Sequence, residues 1–213
     1  MSAAAPQFAQ DPRKWREHTA ALGMWVFLAT ELMFFGGIFM GYLYLRTQYP
    51  ALVSQASRHT HEWIGTINTA ILLTSSLSMA LAVRFSQLYR REAVRRLLWI
   101  TAALGAAFIA LKLAEYTMEW HEGLVPGLRF TIVENADITR LFFFLYFVGT
   151  GVHAVHLTIG VVAVVWMSWR LREPRFPDWR ADEIDVLGLY WHFVDAVWVF
   201  LYPLFYLVSL QSP

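Results

Sequence analysis

Five long stretches of this chain carry almost no charge, and nothing else constrains its fold as strongly. Asp, Glu, Lys and Arg are absent from Trp63–Val83, Leu97–Leu111 and Leu141–Trp169, while Glu31 alone interrupts His18–Leu45 and Asp195 alone interrupts Val186–Pro213. About 20 mainly apolar residues in a helix reach across the hydrocarbon of a bilayer. The expected fold class is therefore all-α: an integral membrane bundle of five transmembrane helices, with spans at about 18–46, 62–85, 95–118, 140–169 and 186–209. Composition agrees, since 57% of residues are hydrophobic and only 15% charged, well outside the balance of an ordinary soluble domain.

The basic residues fix an expected orientation. Arg13, Lys14 and Arg16 precede the first span, Arg84, Arg90, Arg91, Arg95 and Arg96 lie between the second and third, and Arg170, Arg172, Arg175 and Arg180 lie between the fourth and fifth. The other side has Arg46, Arg58, Arg129 and Arg140. Positive charge collects on the cytoplasmic side, which places the N-terminus in the cytoplasm and the C-terminus outside. Tyr44, Tyr49, Trp63, Trp99, Trp120, Trp166, Trp169 and Tyr190 are expected to mark the two interfaces. The first apolar run is too long for a signal-peptide core and reads as a retained helix.

Other classes are thinned out by what the chain lacks. With no cysteine, it has no disulfides, no iron–sulfur ligands and no thiolate-ligated or covalently attached haem. A net charge of +1, with the arginines explained by topology, gives no nucleic-acid signal. The loops leave no room for a soluble domain, so residues 1–213 read as a single transmembrane domain; the longest loop is expected to be external, from Glu119 to Thr139. Small residues at Gly37 and Gly41, at Ser75, Ser76 and Ser78, and at Gly149, Gly151, Ala154 and Gly160 suit close helix contacts. Pro203 in the fifth span is expected to free the carbonyl of Val199 and kink the helix.

Chemistry, if present, must come from polar groups that the bilayer would otherwise exclude. These are Glu31 in the first span, Lys112 and Glu115 in the third, His153 and His156 in the fourth, and His192 and Asp195 in the fifth. Each of the last three pairs is separated by three residues and shares a helix face. Three readings compete. A metal or haem site has precedent in helical bundles, but the set has no Glu-x-x-His pair and spreads over several depths. A small ion or proton transporter would use such groups, but neither broken helices nor an inverted repeat is visible. The third reading is a satisfied polar network that locks the bundle: Glu31 bonded to a His or hydroxyl on another helix, Lys112 snorkelling or paired with Glu115, and His192 and Asp195 bonded at a helix or subunit contact.

Several stretches resemble a known family. Tyr190-Trp191-His192-Phe193-Val194-Asp195-Ala196-Val197-Trp198, continuing to Leu201-Tyr202-Pro203-Leu204-Phe205-Tyr206-Leu207, resembles the C-terminal signature of subunit III of haem–copper oxidases. The paired histidines in Gly149–Gly160, the run Glu31 with Phe34-Phe35-Gly36-Gly37, Asn68-Thr69 with Leu73–Ser76, and Ala114-Glu115-Tyr116 are similar to further segments of that family, in the same order. The resemblance implies a non-catalytic subunit of a proton-pumping terminal oxidase in the bacterial inner membrane. It would bind no haem or copper itself; those cofactors are expected in partner subunits. Its expected partners are subunit I, which it packs against and whose proton uptake it supports, then subunit II, membrane lipids and a larger respiratory supercomplex.

Glu31, Glu115, His153, His156, His192 and Asp195 would then be a buried polar network with no catalytic, cofactor-binding or metal-binding member. Relative to the long form of the family, two helices before the Glu31 helix are lacking, and the family's lipid cleft lies between those and the other five. Phospholipid is therefore expected in a seam with other subunits. The stretches Asn68–Ala82 and Glu119–Gly127 resemble cytochrome c oxidases of the caa3 kind more than quinol oxidase subunit III or an accessory subunit of nitric oxide reductases.

Overall fold

The computed structural model describes residues 12–57, 62–125, 136–172 and 181–207. Helices α1 (Pro12–Gln48), α2 (Pro50–Ser57), α3 (Glu62–Gln87), α4 (Arg91–His121), α5 (Ala136–Arg170) and α6 (Ala181–Phe205) follow one another, and no strand occurs among the described residues. The five long helices are each long and apolar enough to cross a membrane. The all-α membrane bundle of five spans expected from the charge-free runs is the fold observed. Arg58, Arg129, Arg175 and Arg180, and the loop residues around Pro126, lie outside the described residues.

Two helix ends differ from the sequence reading. The stretch expected to leave the membrane at Glu119 is still helical, because α4 runs on to His121 and closes with a C-terminal cap. Gly123 takes φ 73°, its N–H bonds to the Trp120 carbonyl, and the N–H of Leu124 bonds back to the Glu119 carbonyl. That is the pattern in which a left-handed residue after the helix satisfies its last carbonyls, with the next side chain, Leu124, buried beneath. The α3–α4 turn uses the same wiring with Tyr89 at φ 55°. A tyrosine pays about 1–2 kcal/mol for a conformation that glycine adopts freely. The short α2 was not expected; Pro50 starts it, where a missing N–H costs nothing, and Val53 and Ala56 are buried as it packs on α5.

Helices α3 to α6 form a closed ring. α3 packs on α4 and α6, and α5 packs on the same two, so α3 faces α5, and α4 faces α6, across the diagonals. α1 lies outside the ring on the α5–α6 seam and contributes Phe35, Tyr42 and Leu45 to the core, while Met33, Met40 and Tyr44 point away from it.

Glycine use follows the same division. A Cβ on Gly105 would meet Val161 at 2.7 Å and the Trp191 ring at 2.9 Å, and one on Gly65 would meet Tyr206 at 2.9 Å, so these glycines permit close approach within the ring. Gly37, expected as a contact glycine, has nothing near it, and Gly41 meets only Leu145 at ordinary distance. Pro203 falls in the last turn of α6, which ends at Phe205. Of the expected interface aromatics, Trp63, Tyr44, Tyr49, Trp120, Trp166 and Trp169 are exposed, but Tyr190 is buried. Its hydroxyl donates to the His156 carbonyl at 2.8 Å, so it serves helix packing instead.

Candidate functional site

The six polar residues singled out in the sequence do not form one network. They separate into three sets and a lone histidine, at different levels of the bundle.

The first set is sealed inside the ring, near the end opposite the arginine-rich turns. Lys112, Glu115 and Glu119 stand on one face of α4 at spacings of three and four. They meet Tyr146 from α5 and Tyr206, just after α6, and none of the five is more than 2% exposed. Lys112 Nζ donates all three of its N–H bonds: to Glu115 Oε2 at 2.9 Å, to the Tyr146 hydroxyl at 2.8 Å and to the Tyr206 hydroxyl at 2.5 Å. Tyr206 donates its own hydroxyl hydrogen bond to Glu115 Oε1 at 2.7 Å, and Tyr146 donates to Glu119 Oε1 at 2.6 Å. The ammonium also lies 4.7 Å from the centroid of the Tyr146 ring, where the π face attracts it. Of the two readings kept open for Lys112, pairing with Glu115 is the one observed; snorkelling toward the surface does not occur.

The second set joins α1 to α5. Glu31 Oε2 lies 3.2 Å from His156 Nε2, and both side chains are slightly under one-fifth exposed. His156 Nδ1 is 2.9 Å from the Val152 carbonyl, which can only accept, so Nδ1 carries a hydrogen. Glu31 thus faces a histidine of another helix. Phe35 covers the imidazole edge-on.

The third set lies on the α3–α6 seam. His192 Nδ1 and the Ser76 hydroxyl are 2.8 Å apart. One turn later on α6, Asp195 is buried with its carboxylate beside the same serine hydroxyl. His153 belongs to none of these sets. Its ring is packed between Phe108 and Trp198, and both nitrogens lack partners. His153 and His156 therefore do not act as a pair: one turns into the ring and the other out to α1.

Glu119, Tyr146 and Tyr206 were missed from the sequence. Glu119 had a signal, the 112–115–119 face; the tyrosines had none, because no local spacing relates α5 or the turn after α6 to α4. Among the described residues, no three His, Asp or Glu side chains converge to hold a metal ion.

Comparison with known proteins decides the family. The family model for cytochrome c oxidase subunit III matches residues 14–210. The chain belongs to that family. It is a subunit III of the haem–copper oxidases and a multi-pass protein of the bacterial inner membrane. This subunit III is 32% identical over 192 residues to cytochrome c oxidase subunit 3 of Thermostichus vulcanus, an alignment covering 88% of this chain and 87% of the relative. It is 28% identical to quinol oxidase subunit 3 of Bacillus spizizenii over 93% of both chains. A heme-copper oxidase subunit I+III of Aeropyrum pernix is 32% identical over 87% of this chain, which matches 22% of that longer protein. Subunit III thus occurs in one relative fused to subunit I, in accord with the expected association with oxidase subunits.

Proposed function

We propose that this subunit III is a non-catalytic member of a cytochrome c oxidase: it packs against subunit I, stabilises it, and supports its proton uptake, while haem and copper reside in the partner subunits. The observation that carries the proposal is the state of the intramembrane charges. Lys112 spends every donor on Glu115, Tyr146 and Tyr206, and Glu31 lies against His156, so these ionisable groups join helices. Groups bound in this way specify packing. The positive-inside bias of the arginines supports a cytoplasmic N-terminus and an external C-terminus. Phospholipid is proposed in the seams with other subunits, where α1 presents its apolar face.

The test is to purify the oxidase with and without this chain. Equal haem content per subunit I, equal initial oxygen consumption and a shorter active lifetime during turnover are the expected results; loss of haem with the chain would refute the non-catalytic role. The likeness to Bacillus quinol oxidase subunits over 93% of both chains keeps quinol as the rival electron donor. A copper-binding domain on the co-purifying subunit II is expected for cytochrome c oxidase, and its lack would favour quinol.

A further inference from the structure

The ring of α3 to α6 contains two fully buried side chains whose hydrogen-bonding atoms are all unused. Asn68 on α3 is 0% exposed with neither Nδ2 nor Oδ1 bonded, and His153 on α5 is 1% exposed with neither ring nitrogen bonded. They stand on diagonal helices at the level of one residue, Trp198 of α6. The Trp198 indole donates to Thr69, the neighbour of Asn68, at 3.1 Å, and its ring centroid lies 5.1 Å from that of His153. Phe108 of α4 closes the fourth side, against both His153 and Trp198. Lys112 Nζ, the hub of the sealed set, is 5.7 Å from the Trp198 ring.

Left unpaired, each such group costs about 1–3 kcal/mol, and the surrounding lipid offers no donor or acceptor to relieve it. We propose that Asn68 and His153 bind internal water beside Trp198, at the centre of the four-helix ring. The chemistry selects the ligand. A carboxamide and a neutral imidazole each offer both a donor and an acceptor, which is what a water molecule with two of each completes. A metal cation would meet the repulsion of the Lys112 ammonium, and an apolar molecule would leave all four atoms unpaired. The water joins Asn68 and His153 to the polar level occupied by Lys112, so the ring has a wet centre between its aromatic layers.

Radiolytic hydroxyl footprinting of the assembled oxidase tests this, because X-rays generate radicals from bound water in place and label adjacent side chains. Trp191 is the internal control: it is as buried as Trp198 and equally reactive, and its indole is already bonded to Ser75 at 2.9 Å. Trp198 is expected to label several-fold faster than Trp191, and the rate should fall to that of Trp191 in the double variant Asn68→Leu/His153→Phe. Labelling of Trp198 no faster than Trp191 in the unmodified complex would overturn the proposal, a result that does not depend on whether the variant assembles. Persistence of fast labelling in an assembled double variant would also overturn it, since the water would then belong to other groups.

Discussion

Two acid–base sets in this membrane bundle are built from the same chemistry and differ in enclosure. Lys112, Glu115, Glu119, Tyr146 and Tyr206 are sealed within the ring and tie α4 to α5 and to the turn after α6. Glu31 and His156 join α1 to α5 at a seam where both remain partly accessible from outside the chain. A charge in lipid must be answered in either place. In the ring the answer to Lys112 comes entirely from this chain, whereas at the α1 seam it leaves a side open to whatever packs there. Enclosure therefore separates groups that hold the subunit's own fold from groups placed where the subunit meets its surroundings.

The comparison breaks most sharply at Lys112. In Lys112→Leu the Glu115 carboxylate is left buried without its cation and two tyrosine hydroxyls lose their donor, a loss of about 3–5 kcal/mol. The chain is expected to be missing from oxidase isolated on native gels. The double variant Lys112→Met/Glu115→Gln should recover part of it, and full assembly of Lys112→Leu alone would show that the sealed set contributes little. A smaller effect is expected from glycine substitution. Gly105→Ala forces a methyl group into Val161 and Trp191, an overpacking cost of about 1–3 kcal/mol, seen as a lower thermal midpoint of the complex.

Gly37→Ala meets nothing within this chain and should leave that midpoint unchanged. A clear drop in the Gly37 variant would mean that α1 is tightly covered in the assembly. The mildest change is Glu31→Gln, which keeps a donor and an acceptor toward His156. At a partly exposed pair the cost should stay below about 1 kcal/mol, with normal subunit content by quantitative mass spectrometry. Loss of the subunit in that variant, with Glu31→Asp tolerated, would sharpen the comparison by showing that the seam needs a carboxylate.

The fold was legible because charge-free runs of this length admit only one structure in lipid, a helix that satisfies its own backbone. The Lys112–Glu115 pair was legible too, since three residues on one helix bring the groups together whatever surrounds them. The partition into separate sets was not. Whether His153 and His156 act together depends on which neighbours flank α5, and the ring places Phe108 and Trp198 on one side and Glu31 on the other. Tyr206 reaches Lys112 across 94 residues of sequence, a contact set by helix order around the ring that no local spacing encodes. The extension of α4 past Glu119 was hidden for a simpler reason: two acids and a histidine look like a loop until Gly123 is seen closing the helix behind them.

The wide separation of Lys112 and Tyr206 bears on how the protein is made. Ribosomal synthesis delivers α4 to the membrane well before the tyrosines that complete its lysine exist. A lone ammonium on an inserting helix is opposed, by up to about 2.5–3.5 kcal/mol at the bilayer centre. Placing Glu115 one turn beyond Lys112 lets the two travel as a dipole on a single helix, self-neutralised while they wait. Tyr146 then arrives with α5, and Tyr206 closes the set when α6 docks, so the order of translation is also the order in which this charge is progressively sheltered.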